Sequence, residues 1–210
     1  MSMKLERVRL VDSAQVQAFA DLHVQAFPGF FLSQLGPKFL ALLYTHYLQS
    51  EQCACILASD DSAGRTPKGL AVAIRQPSLF YKDLFAKHWL AFALRALPSL
   101  LKNPLFVAKK LWAAVFYRGD QVESLDAENA VLLSTISVSP QAQGQGVGRQ
   151  LLQEVEAWAA ESGAAFVYLT TDRDANVEVN SFYQRNGYVL ESTLKKSGNR
   201  IMNRYIKRLR

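Results

Sequence analysis

The stretch of this chain best suited to chemistry reads Ser137-Val138-Ser139-Pro140-Gln141-Ala142-Gln143-Gly144-Gln145-Gly146-Val147-Gly148-Arg149. A strand-like run enters it and an amphipathic helical run leaves it, so the pattern predicts a strand, a glycine-rich turn and a helix start. Glycines at 144, 146 and 148 remove side chains where a ligand must touch the backbone. The first amides of the following helix, at Val147, Gly148 and Arg149, have no internal partner and point outward at the positive end of the helix dipole. A diphosphate fits there without needing a lysine. Gln143 adds a side-chain donor beside Gln145. Arg149 can reach a phosphate, and although its charge opposes the dipole, a bound anion offsets that cost. A nucleotide phosphate loop would end in Gly-Lys-Ser/Thr, which is absent. A dinucleotide turn needs Gly-x-Gly-x-x-Gly behind a first strand, whereas these glycines are spaced two and two and lie late in the chain.

The elements that must position this turn are legible from periodicity. Val8 to Val11 reads as a short first strand. Asp12 opens a helix, with Gln15 completing a capping box, and Val16, Phe19, Ala20, His23 and Phe27 share its apolar face. Pro28-Gly29 ends it. Gly36-Pro37 precedes a second helix carrying Phe39, Leu42, Leu43, His46 and Tyr47 on one stripe. Cys53 to Ser59 and Gly69 to Arg75 read as a hairpin around Asp60 to Gly64. Residues 79–97 and 104–117 read as two helices separated by Pro98 and Pro104, followed by an acidic linker at 119–129. Ala130 to Val138 is the clearest strand. The helix from Gly146 or Val147 carries Val147, Leu151, Leu152, Val155, Trp158 and Ala159 at helical spacing, and Gly163 caps it. Phe166 to Thr171 is a strand, 177–186 a short helix stopped by Gly187, and 188–194 with 200–207 a final hairpin around Ser197-Gly198-Asn199. The order predicts an α/β fold with a mixed sheet covered by helices on both faces. A single domain over 1–210 is expected, with a helical insertion at about 76–120.

Composition narrows the function classes. Half of the 210 residues are hydrophobic and 20% are charged, which suits one packed domain and not a disordered chain. Cys53 and Cys55 lie on the same face of one strand and are poorly placed to bridge, so free thiols and a reducing compartment are expected. The N-terminal residues lack the apolar core of a signal peptide, and no apolar run reaches membrane-spanning length. The expected location is the cytoplasm. Of the net charge of +6, nearly all sits in residues 76–120, where seven basic residues face two acidic ones. The rest of the chain is close to neutral, which argues against a nucleic-acid-coating role.

Gln143-x-x-Gly146-x-Gly148 resembles the Gln/Arg-x-x-Gly-x-Gly/Ala acyl-CoA motif of the GNAT superfamily. Asn176, Asn180, Tyr183 and Gly187-Tyr188 are similar to that family's Asn-x(6)-Tyr-x(3)-Gly-aromatic segment. The match is strong over about residues 130–194, covers 6–75 in element order only, and leaves 76–120 outside the common pattern. The resemblance implies an acyl-CoA N-acyltransferase fold and direct transfer of an acetyl group from acetyl-CoA, used as co-substrate with no metal, to a primary amine. By position, Ile136 and Val138 would offer unpaired backbone groups to the pantetheine arm, the amides from Gly144 to Arg149 would take the diphosphate, and the thioester would lie near a bulge in the strand. Tyr183 matches the family's general acid for the departing thiolate, or else packs under the sheet. Asn176 either contacts the cofactor or caps the helix at 177–186; Asn180 is the weaker of the two.

The same resemblance leaves the general base open among His23, His46, His88, Asp172, Asp174, Glu128 and water. A histidine on an apolar stripe is as readily a satisfied core residue. For the insertion three readings stand: packing on the domain or a homodimer partner, a lid or wall for the acceptor, or a membrane-surface face. The partners expected overall are a small-molecule amine and a second copy of the chain, with no nucleic acid and with a membrane surface disfavoured. Phe27 to Gly36 resembles members of the family that act on amino-sugar nucleotides in bacterial surface-polysaccharide synthesis. Two further functions compete with the N-acetyltransferase: a non-catalytic CoA-binding module, and a membrane-peripheral acyltransferase using longer acyl-CoA.

Overall fold

Strand alternation explains why helices cover both faces of the sheet. In Cys53–Asp60 (β2), Cys53, Cys55 and Leu57 enter one core, while Ala54, Ile56 and Ala58 enter another. In Pro67–Ile74 (β3), Leu70, Val72 and Ile74 join the first core and Ala71 and Ala73 the second. A sheet that is apolar on both sides must be covered twice. The computed structural model describes residues 3–9, 12–60, 66–102, 129–196 and 200–209. The first core is closed by Ser13–Ala26 (α1), Phe31–Gln34 (α2), Pro37–Gln49 (α3) and Pro77–Lys102 (α4). The second is closed by Val147–Glu161 (α5) and Val177–Arg185 (α6).

The remaining strands are Met3–Val8 (β1), Ala130–Val138 (β4), Phe166–Asp172 (β5), Val189–Lys195 (β6) and Ile201–Arg208 (β7). They form one seven-stranded sheet in the order β1-β2-β3-β4-β5-β7-β6. Every neighbouring pair is antiparallel except β4 and β5, which run parallel. This is the mixed α/β architecture expected, with a helical element between the third and fourth strands.

Three local expectations are corrected, and one element is new. The first strand is Met3–Val8, not Val8 to Val11, because its pairing with β2 begins at Met3 opposite Asp60. Asp12 does cap α1, but its carboxylate accepts from the Ala14 amide at 3.2 Å and Gln15 does not reciprocate. The segment read as 79–97 continues through Pro98 to Lys102. A proline inside a helix removes one backbone bond. Here Pro98 is exposed, and the anchors Phe80, Leu84, Phe92 and Ala96 are buried in the first core. The short α2, a single turn, is too brief to show periodicity. The predicted helix at 104–117, the linker up to 128 and both tight turns at 61–64 and 197–199 lie outside the described residues.

Helix α5 positions the glycine turn. All six predicted apolar positions, Val147, Leu151, Leu152, Val155, Trp158 and Ala159, are buried. Each large one contributes roughly 1.5–3 kcal/mol by leaving water. The helix comes so close to β3 that only glycine fits at Gly69. A Cβ there would lie 2.8 Å from Leu151 Cδ1 and 2.9 Å from Val147 Cγ1. At the far end Gly163 adopts φ +80°. The Ala164 amide bonds the Ala159 carbonyl at 3.0 Å and the Gly163 amide bonds Ala160 at 3.0 Å, a Schellman stop.

Candidate active site

The site begins where two strands part. β4 and β5 pair only at Ala130 to Leu132 with Phe166 to Tyr168, although β4 runs on to Val138 and β5 to Asp172. Beyond Leu132 the β5-facing edge of β4 therefore has no strand partner. Which residues use that edge follows from hydrogen-bond alternation. The Ser139 amide bonds the Lys68 carbonyl at 2.8 Å, so Ser139, Ser137 and Thr135 direct their backbone groups at β3. Ile136 and Val138 then direct theirs away from β3, into the gap.

A bulge sets this phase. Val72 pairs with Thr135 and Ala73 with Leu133, leaving Ser134 without a partner on β3. An extra residue in one strand shifts the alternation by one. Accordingly Val131 and Leu133 face the second core, and so do Ile136 and Val138, although the two pairs differ in parity.

β4 delivers the chain through a 3-10 turn at Pro140–Ala142 into the glycine turn. Gly144 and Gly146 adopt φ +76° and +80°, where L side chains are strained. A Cβ at either would meet nothing within 4 Å, so the backbone here faces open space. The first α-helical bond of α5 runs from the Gln150 amide to the Gly146 carbonyl at 3.1 Å. The amides of Val147, Gly148 and Arg149 thus take no part in that ladder. Gln145 braces the turn by donating Nε2–H to the Gln141 carbonyl at 2.8 Å. Gln143 and Arg149 are exposed, and neither side chain has a hydrogen-bond or ion-pair partner among the described residues. Free amides, a helix N-terminus, a guanidinium and an open face together fit a diphosphate. The unpaired edge of β4 leads to them, as an extended pantetheine arm requires.

Tyr183 is held by the stop signal of α6. Gly187 adopts φ +84°, its amide bonds Gln184 at 3.0 Å, and the Tyr188 amide bonds the Tyr183 carbonyl at 3.1 Å. This second Schellman motif folds Tyr188 back onto Tyr183, with ring centroids 5.8 Å apart. The spacing of tyrosine, glycine and aromatic residue in the sequence is thus the spacing of a helix cap. Tyr183 is 5% exposed and also packs on Phe182 and Tyr205. Burial raises its phenol well above the ordinary value, so it keeps its proton. Its hydroxyl makes no hydrogen bond among the described residues, which leaves the proton available for donation.

Asn176 and Asn180 are largely occupied. Asn176 Nδ2 donates to Thr171 Oγ1 at 2.9 Å and to the Asp172 carbonyl at 3.0 Å. It stands at the start of α6 but gives no side-chain cap, so only its Oδ1 is open to a ligand. Asn180 donates to the Asp172 and Asn176 carbonyls and accepts from Asn203 Nδ2 and Tyr205. It is a joint between α6, β5 and β7.

Of the described candidate bases only Asp172 lies on a parted strand, at the end of β5. His23 is buried and bonds the Tyr44 hydroxyl at 2.9 Å; desolvation lowers its pKa to about 4. His46 stacks on His88, centroids 4.2 Å apart, and its pKa is lowered by burial and by the neighbouring His88 and Arg95. Asp172 forms a two-point ion pair with Arg200, whose guanidinium lies 5.8 Å from the Phe30 ring centre. Asp174 pairs with Arg173, and Glu128 lies outside the described residues. Two open depressions of about 790 and 220 Å³ lie over α1, α3 and α4 and include neither the glycine turn nor Tyr183.

Sequence reasoning missed one cluster. Tyr81 on α4 bonds Ser134 Oγ at 2.9 Å and Tyr47 at 2.9 Å, and Tyr47 lies 3.4 Å from Ser134 Oγ. The three come from residues far apart in the chain, and nothing in one strand's spacing foretells the bulge that carries Ser134.

With this geometry in view, comparison with known proteins gives one answer. The model of the acetyltransferase (GNAT) family matches residues 107–188. Among solved structures, a GNAT-family acetyltransferase from Staphylococcus aureus is 14% identical, with full coverage of both chains and a TM-score of 0.58. A variant spermidine N-acetyltransferase from Vibrio cholerae is 13% identical over 99% of this chain and 94% of its own, TM-score 0.59. PaiA N-acetyltransferase from Thermoplasma acidophilum, solved in complex with coenzyme A, is 12% identical over 97% and 98%, TM-score 0.56. No curated protein matches the chain. The GNAT acetyltransferase model thus matches residues 107–188, and the described residues share the fold of these GNAT acetyltransferases. The general activity of the family is acetyl transfer.

Proposed function

We propose that this protein transfers the acetyl group of acetyl-CoA directly to a primary amine of a small molecule. One observation carries this reading: the free amides of Val147, Gly148 and Arg149 stand at the end of the unpaired edge of β4. A diphosphate on the turn and an extended arm along Ile136 and Val138 bring a thioester toward the bulge at Ser134. Acetyl-CoA supplies an activated acyl group. Gln143 and Arg149 bind its phosphates, and Asn176 Oδ1 faces it from the start of α6. Tyr183 donates its proton as the thiolate departs. A phenol that stays protonated to high pH suits an acid, not a base. With His23 satisfied by Tyr44 and Asp172 by Arg200, water accepts the amine's proton.

A thiol-release assay with acetyl-CoA across a panel of polyamines, amino sugars, amino-sugar nucleotides and peptide N-termini tests the reading. Release that depends on one amine class supports it. Folded protein that neither binds acetyl-CoA by calorimetry nor releases thiol with any amine refutes it.

A further inference from the structure

Tyr47, Tyr81 and Ser134 form a closed triangle of hydroxyls, with sides of 2.9, 2.9 and 3.4 Å. Each member comes from a different element: α3, α4 and the bulge of β4. Three hydroxyls offer three donors and at least three acceptors, so a cyclic arrangement satisfies all of them without a fourth partner. Burial raises both phenols above their ordinary value, Tyr47 the more strongly, so the triangle is neutral and fully protonated around neutral pH. Tyr47 is 3% exposed and stacks on Phe80 at 5.4 Å, and Tyr81 packs against the same ring at 5.2 Å. The two phenols are therefore fixed by packing before they bond Ser134.

What they hold is the residue that sets the phase of β4. Ser134 is the unpaired residue of the bulge, and the bulge decides that Ile136 and Val138 present their amides and carbonyls to the gap. A bulge lacking a side-chain restraint can slide by one residue, which would turn those groups toward β3. We infer that Tyr81 and Tyr47 are positioning residues for acetyl transfer: their bonds to Ser134 fix the β4 bulge, and the helix between β3 and β4 is thereby part of the active site's framework. This rests on the acetyltransferase reading. The diphosphate grip at Gly144 to Arg149 lies beyond the C-terminal end of the strand and keeps most of the binding, so a loosened bulge acts mainly on the reacting centre.

The test compares wild type with Tyr81→Phe, Ser134→Ala and Ser134→Thr by acetyl-CoA calorimetry, thermal unfolding and steady-state kinetics. The expected result is a fall in kcat of about tenfold or more in Tyr81→Phe and Ser134→Ala, because small misplacements at a reacting centre are costly. Acetyl-CoA Kd should move clearly less than kcat, because the diphosphate grip is intact, and Ser134→Thr, which keeps the hydroxyl, should recover most of kcat. The double variant Tyr81→Phe/Ser134→Ala should be no worse than the poorer single one, since both break the same link. A wild type without amine-dependent thiol release overturns the acetyltransferase reading and this one with it. An active wild type matched by Tyr81→Phe and Ser134→Ala overturns this one alone. So does a loss of kcat that only parallels weaker acetyl-CoA binding or lost folded protein.

Discussion

Gly146→Ala separates what the turn costs the fold from what it gives the ligand. Gly146 sits at φ +80°, ψ 2°, a left-handed conformation. An alanine there costs roughly 1–2 kcal/mol of backbone strain. It meets no atom within 4 Å, so no packing penalty adds to that. For a chain of this size the expected Tm loss is about 2–8 °C. The effect on binding should be larger. On the proposed reading, the added methyl enters the open space beside the free amides of Val147 and Gly148, and a diphosphate bound there would have to retreat from them. A hydrogen bond to a charged group contributes about 1.5–3 kcal/mol. Losing one of them weakens binding by about ten- to a hundredfold, and losing two by more. Calorimetry with CoA and acetyl-CoA, beside differential scanning fluorimetry, reads both quantities on the same sample. A variant with the expected Tm loss but a Kd within about threefold of wild type would show that the diphosphate is not held at this turn.

Tyr183→Phe should lower kcat at least about tenfold, in the range of general acid catalysis, with acetyl-CoA Kd nearly unchanged; equal turnover would remove the hydroxyl from the mechanism. Gly69→Ala should lower Tm without touching acetyl-CoA affinity. Its methyl would press on Leu151 and Val147 at 2.8 and 2.9 Å and on the Ser137 carbonyl at 3.2 Å, and such overpacking costs about 1–3 kcal/mol. His23 makes stability acid-sensitive. Its pKa falls from 6.5 unfolded to about 4 folded, so the unfolded chain binds the proton first. The contribution is complete above pH 6.5 and is lost as pH drops toward 4, by up to about 3 kcal/mol. Unfolding of wild type and His23→Gln between pH 7 and 4 checks this, with the variant expected to show the shallower decline.

The features legible in the sequence were those that a few adjacent residues settle by themselves. Gly163 and Gly187 stop α5 and α6 because left-handed backbone is a local demand, and the Tyr183–Gly187–Tyr188 spacing is the cap that demand creates. The apolar positions of α5 follow from helical periodicity alone. What could not be read depends on partners far away. The satisfaction of His23 needs Tyr44, 21 residues on, and that of Asp172 needs Arg200, 28 on. Pro98 argued for a break because proline's local penalty is visible, while the docking of Phe92 and Ala96 that carries the helix past it is not. β4 makes the point most sharply. Strict alternation from Val131 and Leu133 assigns Thr135 and Ser137 to the same face, with Ile136 and Val138 opposite. The bulge at Ser134 inverts that assignment. Nothing in Leu133-Ser134-Thr135-Ile136 announces an extra residue; only the register against β3 and the hydroxyls of Tyr47 and Tyr81 do. A family pattern points to Ile136 and Val138, but the physical reason their backbone faces the gap is the bulge at Ser134, which tertiary contacts hold.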